Sequence, residues 1–176
     1  LEDLFSIKAY KATFVLGESR VGDDDTGDGV SNTTCRPGLR RLKWIERVVQ
    51  QFPSYFLDTR YQRPPDFSAK RVEGRRAYHI ARRGVEVSVP SCPVQIQKMQ
   101  WRETHIDIDR RQVTCDFEII ISKGGYIRSM SRDLGADVGV GGYLAQLQRT
   151  GMGPIRMRDL LWLGCENFRY AVVPFS

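Results

Sequence analysis

The segment Gln112–Ser122 (QVTCDFEIIIS) does most to limit what this chain can fold into. Its apolar residues alternate with polar ones, the two-residue period of a strand, and its dense β-branched end reads as a strand buried within a sheet. Other segments supply neighbours. Ile7 to Leu16 (IKAYKATFVL) is rich in β-formers and loosely alternating, and Val85 to Pro90, Val94 to Trp101 and His105 to Ile108 alternate as strands. Helical spacing appears elsewhere. From Leu39, apolar residues recur at Leu42, Ile45, Val48, Val49 and Phe52, which predicts a helix ending before Pro53. Tyr126 to Val138 places Ile127, Met130, Leu134 and Val138 on one face, and a glycine-rich turn (Gly139, Gly141, Gly142) leads to a short predicted helix, Tyr143 to Arg149. Gly22 to Gly29 is a turn-rich acidic loop. Strands mixed with helices predict an α+β domain.

At 176 residues the chain is long enough for one domain with its own core and short for two. No run approaches the roughly 18 apolar residues of a membrane span. The opening Leu1 to Ile7 has neither the basic nor the apolar region of a secretory signal. Neither a membrane partner nor secretion is expected. The first residue is Leu rather than Met, which reads as a processed chain or a portion of a longer one. The four cysteines (Cys35, Cys92, Cys115, Cys165) form no C-x-x-C pair, so no metal site is expected and reduced thiols in a reducing compartment are.

Charge is unevenly placed. Residues 1–35 carry a net charge of −4 and the remainder +10, with 21 arginines against 6 lysines in the whole chain. Arginine binds phosphate bidentately and stacks on bases, so RNA is the partner class this surplus favours. The densest basic segment runs from Arg60 to Arg83, with eight basic residues against Asp66 and Glu73, interleaved with Tyr61, Phe67 and Tyr78. Phosphates attract cations and unstacked bases pack on π faces, which makes this segment the expected RNA contact.

Gln62 to Gly84 (QRPPDFSAKRVEGRRAYHIARRG) resembles the Q-x-P-P-x-[YF]-S-A-x-[KR]-x-x-G-x-R-x-Y-x-x-A-R-x-G segment of the TruB family of pseudouridine synthases. Ser122 to Gly135 (SKGGYIRSMSRDLG) is similar to that family's S-K-G-T-Y-I-R-x-x-x-x-D-L-G, and Leu147 to Pro154 (LQRTGMGP) to its L-R-R-T-x-x-G-P. Lys8 to Gly17 resembles its K-x-Y-x-A-x-x-x-L-G strand. The resemblance implies a catalytic-like domain over residues 1–163 with a tail from 164 to 176, built on a mixed, mostly antiparallel sheet with flanking helices. It also implies isomerisation of uridine to pseudouridine without cofactor or metal. Tyr10 matches the tyrosine that packs on the target base and is a candidate proton acceptor. Tyr126 and Arg128 match the pair beside the nucleophile, where the arginine positions a catalytic aspartate. From the residues alone, Tyr10 reads as a half-buried strand tyrosine and Arg128 as a surface arginine. Arg63, Lys70, Arg71, Arg75, Arg76, Tyr78, Arg82, Lys123 and Arg149 are the expected RNA contacts.

Departures from the pattern are specific. The family's aspartate lies in a G-x-L-D-x-x-A-x-G stretch ahead of the Tyr10 strand, and no Asp of this sequence matches it. The T-D-T of the acidic loop becomes Arg20-Val21-Gly22, Gly-Ala-His becomes Gly141-Gly142-Tyr143, and one arginine of L-R-R is Gln148. The family's C-terminal PUA domain has no counterpart in the sequence either. Two readings follow: a pseudouridine synthase acting on structured RNA such as tRNA or rRNA, or an inactive relative serving as an RNA-binding factor among ribosomal or assembly proteins. Divergence and arginine bias point to a mitochondrion, with the cytoplasm as the alternative.

Overall fold

The computed structural model describes residues 7–20, 23, 25, 29–30, 37–56, 58–65, 71–72, 75–76, 90–153 and 155–156. Strands β1 (Ile7–Leu16), β2 (Ser19–Arg20) and β3 (Gly29–Val30) precede helix α1 (Leu39–Phe56). Strands β4 (Asp58–Gln62), β5 (Arg71–Val72), β6 (Arg75–Arg76), β7 (Cys92–Asp107) and β8 (Gln112–Ser122) follow. Helix α2 (Ile127–Asp137), β9 (Gly142–Met152) and β10 (Ile155–Arg156) complete the described elements. Six strands form one sheet in the order β10-β9-β1-β8-β7-β4, while β2-β3 and β5-β6 are separate two-stranded pairs. Every described pairing is antiparallel. The α+β class is as expected, and the described sheet is antiparallel throughout rather than mixed.

β8 lies inside the sheet, between β1 and β7. Its buried residues alternate along the strand: Val113, Cys115, Phe117, Ile119 and Ile121 face the core, joined by Tyr10, Ala12, Phe14 and Leu16 of β1. Both helices cover that same face. α1 contributes Leu42, Ile45, Val49 and Phe52, and α2 contributes Ile127, Met130 and Leu134. Each fully buried apolar side chain of this size is worth roughly 1.5–3 kcal/mol relative to exposure, so the two stripes fix the helices to the sheet. The opposite face is polar, with Thr13 bonded to Asp116 (2.6 Å) and Arg102 to Glu118 (2.7 Å).

Three expectations are corrected. The predicted helix Tyr143–Arg149 is part of strand β9. Phe14 and Ala12 of β1 pair with Leu144 and Leu147, three positions apart, because a bulge inserts one extra residue between them. That spacing of three imitates a helix. The two predicted strands Val94–Trp101 and His105–Ile108 are one strand, β7, whose alternation is reset by bulges between Ile96 and Lys98 and between Trp101 and Glu103. Finally, α1 continues through Pro53 to Phe56. A proline in the final turn forfeits one backbone hydrogen bond, and Phe52, buried in the core, holds the turn in place. The predicted strand Val85–Pro90 lies outside the described residues except for Pro90, as does the tail 164–176. No helix among the described residues is long and apolar enough to cross a membrane.

Candidate active site

Tyr10 sits in β1 between Ile119 of β8 and Arg149 of β9, with only 8% of its surface exposed. The Arg149 guanidinium carbon lies 5.7 Å from the Tyr10 ring centroid, within reach of a cation–π contact. Lys8 shares the strand face of Tyr10, two residues earlier. Burial, and then the charges of Arg149 and Lys123, hold its ammonium below the ordinary lysine pKa. Arg149 therefore faces both the buried Tyr10 ring and Lys8, and Lys123 adds its charge at Lys8.

Helix α2 begins at the same end of the sheet. Ser122, the last residue of β8, pairs with Ile7, and the chain turns through Gly124 (φ +87°) and Gly125 before the helix starts. Ile127 packs in the same core as Tyr10. Tyr126 occupies the cap position with extended backbone and makes no side-chain cap bond. Its backbone is instead gripped by Gln62: the Tyr126 N–H donates to Gln62 Oε1 (2.8 Å), and Gln62 Nε2 donates to the Tyr126 carbonyl (2.9 Å). Arg128 is half-buried in the first turn, and its carbonyl accepts from Ser131 Oγ (2.7 Å). The Arg63 carbonyl accepts from Ser129 Oγ and from Arg132 Nη2, both at 2.8 Å. Arg132 also pairs with Asp23 of the acidic loop (2.8 Å) and with the neighbouring Asp133, whose carboxyl burial pushes above the usual range.

The structure thus brings Tyr10, Tyr126, Arg128, Lys123 and Arg149 to one end of the sheet. Arg63 is exposed at the end of β4, beside α2. Arg71, Arg75 and Arg76 belong to the small β5-β6 pair, in which Arg71 stands opposite Arg76. Lys70, Tyr78 and Arg82 lie outside the described residues. Two residues of this region were not singled out from the sequence: Gln62, which carries no charge and whose partner is 64 positions away, and Lys8. Their places at the head of the Q-x-P-P and K-x-Y segments are the only sequence signal for them.

Residues 4–127 match the family model of the TruB family pseudouridylate synthase (N terminal domain). The chain belongs to this family. The matched span contains Tyr10, Gln62 and Tyr126 and stops one residue short of Arg128. The chain is 36% identical over 160 residues to the tRNA pseudouridine synthase B of Corynebacterium diphtheriae, covering 90% of this chain and 51% of that one. It is 38% identical over 148 residues to the tRNA pseudouridine synthase B of Anaplasma marginale, covering 84% and 45%. It therefore spans about half the length of these curated relatives. Among solved structures it is similar to a chain of an H/ACA RNP bound to a substrate RNA containing 2'-deoxyuridine, with TM-score 0.49 and 17% identity, covering 90% of this chain and 32% of that one.

Proposed function

We propose that the native protein is an RNA pseudouridine synthase that isomerises a uridine in structured RNA, with tRNA as the first substrate class to test. The observation that carries this reading is the membership of the TruB family, joined to the placement of its Tyr, Tyr-x-Arg and basic positions at one end of the sheet. The two relatives are tRNA pseudouridine synthases, which favours tRNA over rRNA.

The reaction breaks the bond from N1 of uracil to C1′ of the ribose, turns the base, forms a bond from C5 to C1′ and releases the C5 proton, while N1 ends protonated, so that the product is an isomer of the substrate. The nucleophile of the family is the aspartate of its G-x-L-D segment, and the proposal concerns a protein carrying that segment ahead of β1. The chain's own residues then have separate tasks. Tyr10 offers its ring to the flipped base and its hydroxyl to the departing proton. Arg128 holds the aspartate by a charged hydrogen bond, and Tyr126 packs beside it. Lys8, Lys123 and Arg149 meet phosphates flanking the uridine, while the Arg60–Arg83 segment engages the RNA more widely.

Tritium release from RNA labelled at C5 of uridine tests this directly. The native protein should release tritium from unmodified tRNA under single-turnover conditions. RNA binding without release from tRNA or rRNA fragments would instead identify an inactive binding factor.

A further inference from the structure

We infer that Gln62 is a positioning residue, which sets the backbone of Tyr126 and through it the direction in which Arg128 projects. The inference rests on the roles proposed above for Tyr126 and Arg128. Gln62 ends β4 and is 4% exposed, one of few buried polar side chains among the described residues. A buried amide must satisfy both its halves. Here both are spent on one residue: Oε1 accepts from the Tyr126 N–H (2.8 Å) and Nε2 donates to the Tyr126 carbonyl (2.9 Å).

Two hydrogen bonds to a single residue's backbone fix its orientation in a way that one could not. Residue chemistry makes the arrangement selective. Asn has donor and acceptor but is one methylene short. Glu of the same length accepts, yet donates only when protonated. Lysine and arginine only donate.

The rest of the 62–65 segment tightens the same joint. The Arg63 carbonyl accepts from Ser129 Oγ and Arg132 Nη2, and Pro64 and Pro65, both buried, have no N–H to satisfy and a restricted φ. Positions 126, 129 and 132 are spaced by three, so this segment runs along one side of the first two turns of α2. Ile127, Met130 and Leu134 seat another side in the core. A helix held on two sides is restrained from rotating about its axis, which fixes the direction in which the Arg128 side chain leaves the backbone.

The test compares wild type, Gln62→Ala and Gln62→Glu in the native protein. It reads hydrogen exchange at the Tyr126 amide, RNA affinity, and the single-turnover rate of pseudouridine formation from pH 6 to pH 8. In Gln62→Ala the Tyr126 amide should exchange faster and the rate fall roughly tenfold to a hundredfold, the scale of a small misplacement at a reacting centre, with RNA affinity within about threefold of wild type. In Gln62→Glu the ionised carboxylate faces the Tyr126 carbonyl, so the rate should be low at pH 8 and recover towards wild type at pH 6, where a protonated carboxyl can donate as the amide did. An unchanged Tyr126 exchange rate in Gln62→Ala, or a Gln62→Glu rate equal to wild type at pH 8, would overturn the inference. So would a rate loss matched by an equal loss of RNA affinity. Absence of turnover by the wild type itself would sink the functional reading instead, while the exchange measurement still decides whether Gln62 holds Tyr126. Should Gln62→Ala fail to fold, the rate and Tyr126 exchange of Gln62→Glu at pH 8 keep the same decision available.

Discussion

Lys8 is held in a state that costs the free protein stability. Burial comes first and the charges of Arg149 and Lys123 second, and all three disfavour its ammonium. Because the folded pKa is lowered, the folded chain binds fewer protons than the unfolded one between that pKa and the ordinary lysine value of 10.5, so stability rises with pH across this window. At neutral pH the penalty is fully present. A nearby phosphate would reverse it. Lys8→Met should therefore raise the melting temperature of the free protein, weaken RNA binding and reduce the salt dependence of binding by about one released counterion. Thermal melts and a salt titration check this; a lowered melting temperature with an unchanged salt slope would contradict it. At this scale Tyr10 and Arg128 stood out only through the K-x-Y and Y-I-R motifs they sit in, since residue type alone reads them as a strand tyrosine and a surface arginine. Gln62 was silent because its role depends on a pairing across 64 positions of chain, and no local pattern encodes that distance.

Elements were most legible where their periodicity was unbroken. β1 and β8 have the expected bounds, and α2 differs from Tyr126–Val138 by one residue at each end. β7 and β9 misled because single-residue bulges shift the inward-facing set, turning a period of two into a spacing of three at Leu144 and Leu147 and at Ile96 and Met99. A bulge is fixed by the strand opposite, Phe14 and Ala12 for β9, and is invisible to a reading of one segment alone. Helix α2 and the start of β9 also meet closely. A Cβ on Gly135 would lie 2.2 Å from both the Gly141 carbonyl carbon and the Gly142 nitrogen, backbone atoms with little room to yield. Ala normally stabilises a helix interior by up to about 1 kcal/mol over Gly, so a clash would reverse the expected sign. Gly135→Ala should destabilise the protein by about 1–3 kcal/mol in urea unfolding. An unchanged or raised midpoint would show that this approach is not a constraint.

Across the whole molecule, one sheet face carries the core and both helices, and the end of that face near Ile7 and Ser122 gathers Tyr10, the start of α2 and the cations Lys8, Lys123 and Arg149. Arg132 of α2 ties Asp23 of the acidic loop into this frame, and Arg20 pairs with Glu18 and Asp25. The α+β class and the basic character of the chain were readable from pattern and charge. The convergence of segments separated by a hundred residues was not, because it is a property of strand order. On the proposed function this convergence is a catalytic site, and Arg128 is where that proposal is most exposed to test. Arg128 is proposed to act on the nucleophile, so its loss should be felt in the transition state far more than in binding. The decisive measurement is the single-turnover rate of pseudouridine formation on tRNA by native protein carrying Arg128→Ala, made alongside its RNA affinity. The rate should fall by roughly a hundredfold or more, the scale of a lost transition-state contact, with affinity within a few-fold of wild type. A mutant that turns over at the wild-type rate, or one whose rate falls only in proportion to its affinity, would contradict it.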